Sequence, residues 1–376
     1  MKLFAFFKAF RPHRTTIVVV AAFVGIHTCA QAAKSGPRGN QFISFNDFSK
    51  FSNSSNETAG ETIMTSPEIQ AGLQADQLIV SWNVELPADV FLNIEARAIY
   101  PERPIKYFTM GRWCVDSERH PRESVLHQKD ADGDVSTDTL ELVKPAQRFQ
   151  VRLVLGGKSA ERARVKFLGL SFTDTKAEVA QLPAKTNAWG KTIEVPGRSQ
   201  MDYPNGKVLC SPTTVSMLMT YWSKEVNRPE LDRDVPEVAK AVYDANWHGT
   251  GNWPFNTAYV GSYPGMRAYV TRMSDVSELE DWIAQGLPVG LSVSYDRLRD
   301  KGLGGNGHLV VCVGFTKKGD VIVNDPGTRK NVRKTFPRKN LIHAWSYSRN
   351  TVYLIYPEGS KLPEDRFGHW ESRRSQ

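Results

Sequence analysis

The chain has 376 residues, enough for two domains at roughly 150 residues each, with a real core in each. Hydrophobic residues at 40% and charged residues at 23% are the balance of a folded, water-exposed protein, and they exclude disordered, collagenous and multi-span membrane classes. Of the formal net charge of +8, four charges are Lys2, Lys8, Arg11 and Arg14, in a first stretch of 32 residues that holds no acid; the +4 left over gives no support to a nucleic-acid partner, and none is expected.

Residues 1–16 are basic, Ile17 to Ile26 is an apolar run, and Ala30-Gln31-Ala32 is a small-x-small site, the three parts of a secretory signal peptide. Cleavage after Ala32 and a periplasmic or secreted bacterial protein are expected. The apolar run is shorter than the ~18 residues that read as a bilayer span, so no stable membrane span is expected after cleavage. Cys29 follows Ile26-His27-Thr28, which does not resemble the Leu-Ala-Gly pattern before a lipidated cysteine, so the lipoprotein reading is set aside. The mature chain keeps Cys114, Cys210 and Cys312, an odd count that leaves at least one thiol unpaired and forms no disulfide framework. Cys312, inside an apolar run, and Cys114, beside Trp113, read as small core residues.

Residues 33–173 carry a period of two. Leu78, Val80, Trp82 and Val84 alternate with Ile79, Ser81, Asn83 and Glu85, and Val90, Leu92, Ile94 and Ala96 repeat the pattern, as do Phe149, Val151, Leu153 and Leu155. That predicts an all-β domain, an antiparallel sandwich. Asp130, Asp132, Asp134 and Asp138 surround an Asp-Gly turn signal and lack the order of a calcium loop. Residues 174–196, with Pro183 and Pro196, read as a linker, and 359–376 as a C-terminal tail.

Over 197–358 the pattern becomes α+β. Val215, Leu218, Met219 and Trp222 make one apolar helical stripe, and Pro212 suits the first turn of that helix. Ser277 and Glu280 have the spacing of a capping box for a second helix, which Gly286 and Pro288 end. The runs HLVVCVGF and DVIVNDP flank the turn TKKG as a hairpin.

Cys210 stands immediately before the first of these helices, where unpaired amides and the helix dipole favour a thiolate. His308 opens a strand that the hairpin returns alongside Asp325, which supplies an imidazole and a carboxylate to orient it. Gln200, ten residues upstream of Cys210, carries an amide that could share an oxyanion with the Cys210 backbone N–H. By spacing alone, a lone cysteine near a helix start is more often structural than catalytic.

The segments SQMDYPNGKVLCSPTTVSMLMTYW (199–222) and GHLVVCVGFTKKGDVIVNDPGT (307–328) resemble the two signature blocks of cysteine peptidase family 39, the papain-like group whose best-known members remove double-glycine leaders from bacteriocins. The resemblance implies a papain-like cysteine peptidase domain with Cys210 as nucleophile, His308 as general base, Asp325 as its orienter and Gln200 in the oxyanion hole. It covers about residues 190–358. The common Gly-Pro after the nucleophile is Ser211-Pro212 here, and the chain looks like a stand-alone secreted branch with a β-rich domain in front, so double-glycine specificity is not carried over.

The expected function is hydrolysis of an amide bond in a peptide or protein substrate through a thioester acyl-enzyme. An acyltransferase of transglutaminase type would use the same triad and is told apart by amine-dependent product. A catalytically inactive papain-like binding protein is the third reading, motivated by Ser211, and an envelope polymer or glycan is its natural ligand class at the β-domain. Gly302-x-Gly304-x-x-Gly307 lacks the strand-then-helix setting of a nucleotide site and reads equally as a flexible edge of the cleft or a plain surface loop. The basic residues after His308 read as a solvated face. His120, His127, His248, His343 and His369 have no metal-ligand spacing, so neither a metal nor a cofactor is expected. Trp247, Trp253, Phe255 and Tyr259 fit a substrate groove or core packing equally well.

Overall fold

The computed structural model describes residues 36–371. The leader, its cleavage site and Cys29 lie outside the described residues.

Nine antiparallel strands precede the first α-helix: β1 (Asn40–Phe45), β2 (Ser52–Asn56), β3 (Glu61–Thr65), β4 (Ile69–Glu85), β5 (Val90–Ala98), β6 (Phe108–Cys114), β7 (Gly133–Ser136), β8 (Thr139–Gly157) and β9 (Arg164–Thr173). They belong to one hydrogen-bonded sheet. The first half of β8 pairs β4 and β7, whereas its second half pairs β3 and β5, so this 19-residue strand passes from one strand set to the next.

The second part is α+β. Helices α1 (Cys210–Glu225), α2 (Val235–Val242) and α3 (Trp253–Gly261) come first. They are followed by β10 (Met266–Arg272), α4 (Val276–Ala284), β11 (Val289–Ser294), α5 (Tyr295–Leu298), β12 (Gly307–Phe315), β13 (Val321–Asn324), β14 (Arg333–Phe336), α6 (Arg338–Trp345) and β15 (Thr351–Pro357). The six strands form an antiparallel sheet in the order β10-β15-β11-β12-β13-β14. The expected hairpin is β12–β13, with Val311 opposite Asn324.

Helix α1 does not present one stripe to a core: every residue from Ser211 to Ser223 is buried. Its polar side chains are accommodated locally, Thr213 on the Leu209 carbonyl, Ser216 on the Arg233 carbonyl and Thr220 on Asp232. A second departure is at α4. Ser277 is not its cap; Asp275 is, accepting the Ser277 N–H at 2.8 Å, and Glu280 instead binds Arg338 and the Trp189 indole. A carboxylate two residues earlier outcompetes the serine hydroxyl for the free amides of the first turn.

The alternation in β4 also means something other than one core face and one wet face. Leu78 through Val84 are all buried. Asn83 exchanges two hydrogen bonds with the backbone of Ala268 (2.6 and 3.1 Å), and the Ser81 hydroxyl accepts the Val270 N–H at 3.0 Å. Strand β10 is the edge of the second sheet, and the polar face of β4 satisfies the backbone groups that such an edge leaves open. Trp82 and Trp113 pack on Phe255 of α3 with centroids 6.1 and 5.5 Å away, so one hydrophobic core runs through both parts rather than one core in each. Residues after β15 seal the same seam: Trp370 is buried against Trp282, and the Gly368 carbonyl accepts the Phe42 N–H.

Candidate active site

Cys210 is the first residue of α1, and the residue before it is Leu209, whose side chain cannot cap the helix. Of the first-turn groups, the Thr213 N–H donates to the Leu209 carbonyl, Pro212 has no N–H, and the Ser211 N–H turns to the Cys210 sulfur, which is partly exposed in the cleft. Ser211, which replaces the commoner glycine, turns its hydroxyl away to bond the buried Tyr353 hydroxyl at 2.9 Å, so it does not narrow the approach to the thiol.

His308 is the second residue of β12 and is buried. Its Nε2 lies 2.9 Å from Asp325 Oδ1, which leaves Nδ1 as the ring nitrogen for the Cys210 thiol that His308 hydrogen-bonds. Asp325 follows β13 and is fully buried. Its carboxylate also accepts from the Gly327 N–H (Oδ1, 2.9 Å) and the Tyr295 hydroxyl (Oδ2, 2.9 Å), and Lys334 Nζ stands 3.4 Å from Oδ2. Tyr295, the first residue of α5, lies over the His308 ring with centroids 4.1 Å apart.

The charges follow from these contacts. Burial raises the Cys210 thiol, but the His308 hydrogen bond and charge, helped by the Leu309 and Ser211 backbone N–H groups, bring it below its ordinary value. Burial lowers His308, and its bonds to Asp325 and Cys210 outweigh that, raising it to about 9. Burial raises Asp325, and the His308 bond and charge, with the Gly327 and Tyr295 donors, pull it down to about 2. Each of these contacts favours the thiolate–imidazolium pair over the neutral pair, with a carboxylate beside the imidazole. The other two thiols are ordinary core groups, pushed up by burial to about 11 at Cys114 and about 12 at Cys312.

Gln200 is buried in a short turn, and its Nε2 donates to the Gly206 carbonyl at 2.6 Å, while its Oε1 has no hydrogen-bond partner. One N–H of that amide thus braces the turn that leads into Cys210, and the side chain is not among those lining the cleft.

Cys210 and His308 open into a cleft of ≈ 790 Å³ whose walls come from both parts of the chain. The hairpin between β7 and β8 contributes Ser136 to Thr139, and Trp247 and Trp253 line the cleft while Phe255 is core. A second, more apolar cavity of ≈ 710 Å³ adjoins it through Val208 and His248 to Thr250. Asp138, read from sequence as part of a turn, is buried in the cleft wall, where it accepts from the Trp253 N–H at 2.7 Å and from Thr139. Burial pushes it up to about 6 despite those bonds. The place of Asp138 in the cleft wall, and those of Tyr295 and Gly327 beside His308 and Asp325, had no sequence signal, because each is set by strand pairing or domain contact.

A central helix with a cysteine at its start, laid on an antiparallel sheet that presents histidine and aspartate, is the papain-like arrangement. Residues 192–353 match the family described as Peptidase_C39 like family, and residues 45–173 match the Peptidase C39 N-terminal domain. The second part of the chain is thus a C39-like domain, and the first part is the N-terminal domain described for C39 peptidases. A comparison with curated proteins gives no match.

Proposed function

We propose that the protein is an exported cysteine peptidase that cleaves an amide bond through a thioester on Cys210. The observation that carries this reading is the hydrogen-bonded series Cys210, His308, Asp325, with the thiol lowered and the imidazole raised. The Cys210 thiolate adds to the substrate carbonyl carbon, and the C=O π pair moves to oxygen. The Cys210 backbone N–H at the start of α1 stabilises that oxyanion; Gln200, expected to share this task, braces the turn before Cys210 from outside the cleft. On collapse the C–N bond breaks, and the His308 imidazolium gives its proton to the departing amine. His308 then takes a proton from water, which adds to the thioester; the C–S bond breaks, and the acid and the free thiolate are released. The basic, apolar and small-residue succession of residues 1–32 supports export.

The test is the pH dependence of Cys210 alkylation in the mature protein, with His308→Ala as control. The expected result is rapid labelling that persists well below the ordinary thiol value of about 8.5 and is lost in the variant. Labelling that rises only near that value in both proteins refutes the reading.

A further inference from the structure

Arg272 ends β10, and its side chain is 4% exposed. Nε donates to Thr351 Oγ1 at 3.2 Å, and Nη1 donates to Gln77 Oε1 at 2.7 Å and Thr173 Oγ1 at 2.8 Å. All three acceptors are neutral. A guanidinium has five N–H groups, so the bonds that pin this one across the seam leave the Nη2 pair unused. Among the described residues Nη2 has no hydrogen bond and Arg272 has no ion pair, yet the side chain lines the cleft that holds Cys210.

Asp138, Asp76 and Glu141 act on this guanidinium through their charge, and none forms an ion pair with it, so its free N–H groups remain open to the cleft. Asp138 is held by Trp253 and Thr139, Glu141 accepts from Gln77 at 3.1 Å, and Asp76 is bound by Thr175. Arg349, at the rim of the same cleft, makes one side-chain bond, to the Thr175 carbonyl at 3.3 Å, and likewise forms no ion pair among the described residues. Two guanidiniums thus face one cavity with spare donors.

Their distance from the thiol follows from the sheet order. Arg272 pairs with Thr351 on β15, and Ser292 pairs with Leu309 on β12, the residue whose N–H reaches the Cys210 sulfur. From β10 to β12 is three strand spacings, about 14 Å between backbones, and the arginine side chain covers part of it. What remains is about two or three residues of an extended peptide.

We propose that Arg272, with Arg349 at the rim, is a carboxylate-binding subsite, which narrows the peptidase reading above, on which it rests, to substrates carrying a carboxylate two or three residues from the bond that Cys210 attacks. An acidic side chain and a chain-terminal carboxylate present the same chemistry to a guanidinium fork.

The test uses short peptides paired as Glu against Gln at each of the three positions on either side of a central amide, and as C-terminal acid against C-terminal amide. Each is offered in competition with iodoacetamide for Cys210 in the purified protein, and cleavage is followed by mass spectrometry. The expected result is that an acidic member protects Cys210 at a concentration about tenfold or more below its neutral partner. The arm in which this occurs tells a side-chain carboxylate from a terminal one. Arg272→Gln removes the preference. Arg349→Gln, on an exposed side chain, reduces it, so the outcome does not hang on whether the first variant folds. Equal protection by both members, no protection by any acidic peptide, or a preference that survives both substitutions overturns the proposal. Cleavage without acid preference overturns the subsite and keeps the peptidase; acid preference without cleavage does the reverse. Alkylation in the absence of peptide separates a lost thiolate from a lost subsite.

Discussion

Asp325→Asn tests the electrostatics of the site with the smallest change of shape. The carboxylate accepts from His308, Gly327 and Tyr295 and is close to Lys334, and the amide occupies the same volume without the charge. In the native site the imidazolium survives as pH rises until about 9, whereas an ordinary histidine loses its proton near 6.5. That gap corresponds to about 3 kcal/mol between the two protonation states. Near pH 8 it is the difference between about nine-tenths imidazolium and about 3%. With the carboxylate gone, burial acts on His308 opposed by Cys210 alone, so its titration moves down from about 9. Cys210 then loses its cation while its own burial remains, and its thiol titrates higher. The checks are the ring signals of isotopically labelled histidine, assigned with His308→Ala, and the ultraviolet absorbance of the thiolate measured against Cys210→Ala. The expected outcome is a severalfold fall in the imidazolium fraction near pH 8, with about 30-fold as its upper bound, and a weakened thiolate signal. If His308 in the variant still titrates near 9, Asp325 is not what holds the ion pair and the argument fails.

Gly327→Ala places a Cβ 2.8 Å from the Tyr295 hydroxyl and 3.2 Å from both Asp325 Oδ1 and His308 Cε1. Cys210 alkylation at neutral pH is expected to slow by about tenfold or more with the thermal midpoint little changed, and an unchanged rate contradicts a role for that close approach. Asn83→Ala strips two hydrogen bonds from Ala268 in a buried edge, an expected loss of about 2–4 kcal/mol in urea unfolding. Because one core runs through both parts, that unfolding is expected as a single transition by near- and far-ultraviolet dichroism alike, and two separated transitions count against it.

Much of the site was legible because its members obey local rules. Cys210 precedes an apolar run with a proline in its first turn, and the hairpin of HLVVCVGF and DVIVNDP brings His308 near Asp325, with an irregularity between Cys312 and Gly314 setting the final register. The alternation of residues 78–85 likewise announced a strand, and the shift of pattern after Pro196 announced a change of architecture. Chain periodicity reports that a face is polar without reporting what meets it. Ser81 and Asn83 have the spacing of a wet face, and the tertiary structure uses them to close the edge of a second sheet. Serine and aspartate near α4 both suit a cap, and only the strand that delivers Asp275 chose between them. Tyr295 over His308, Asp138 in the cleft wall and the spare donors of Arg272 each depend on elements distant in sequence, joined by sheet order and a shared core. The sequence by itself determined the element types, the place of Cys210 at a helix start and the nearness of His308 to Asp325 along a hairpin, because those are short-range consequences of periodicity and turn chemistry. The tertiary structure decided which polar residues are buried, what they bind and what the cleft can recognise, because burial and electrostatics are set by the partners that long-range packing brings together.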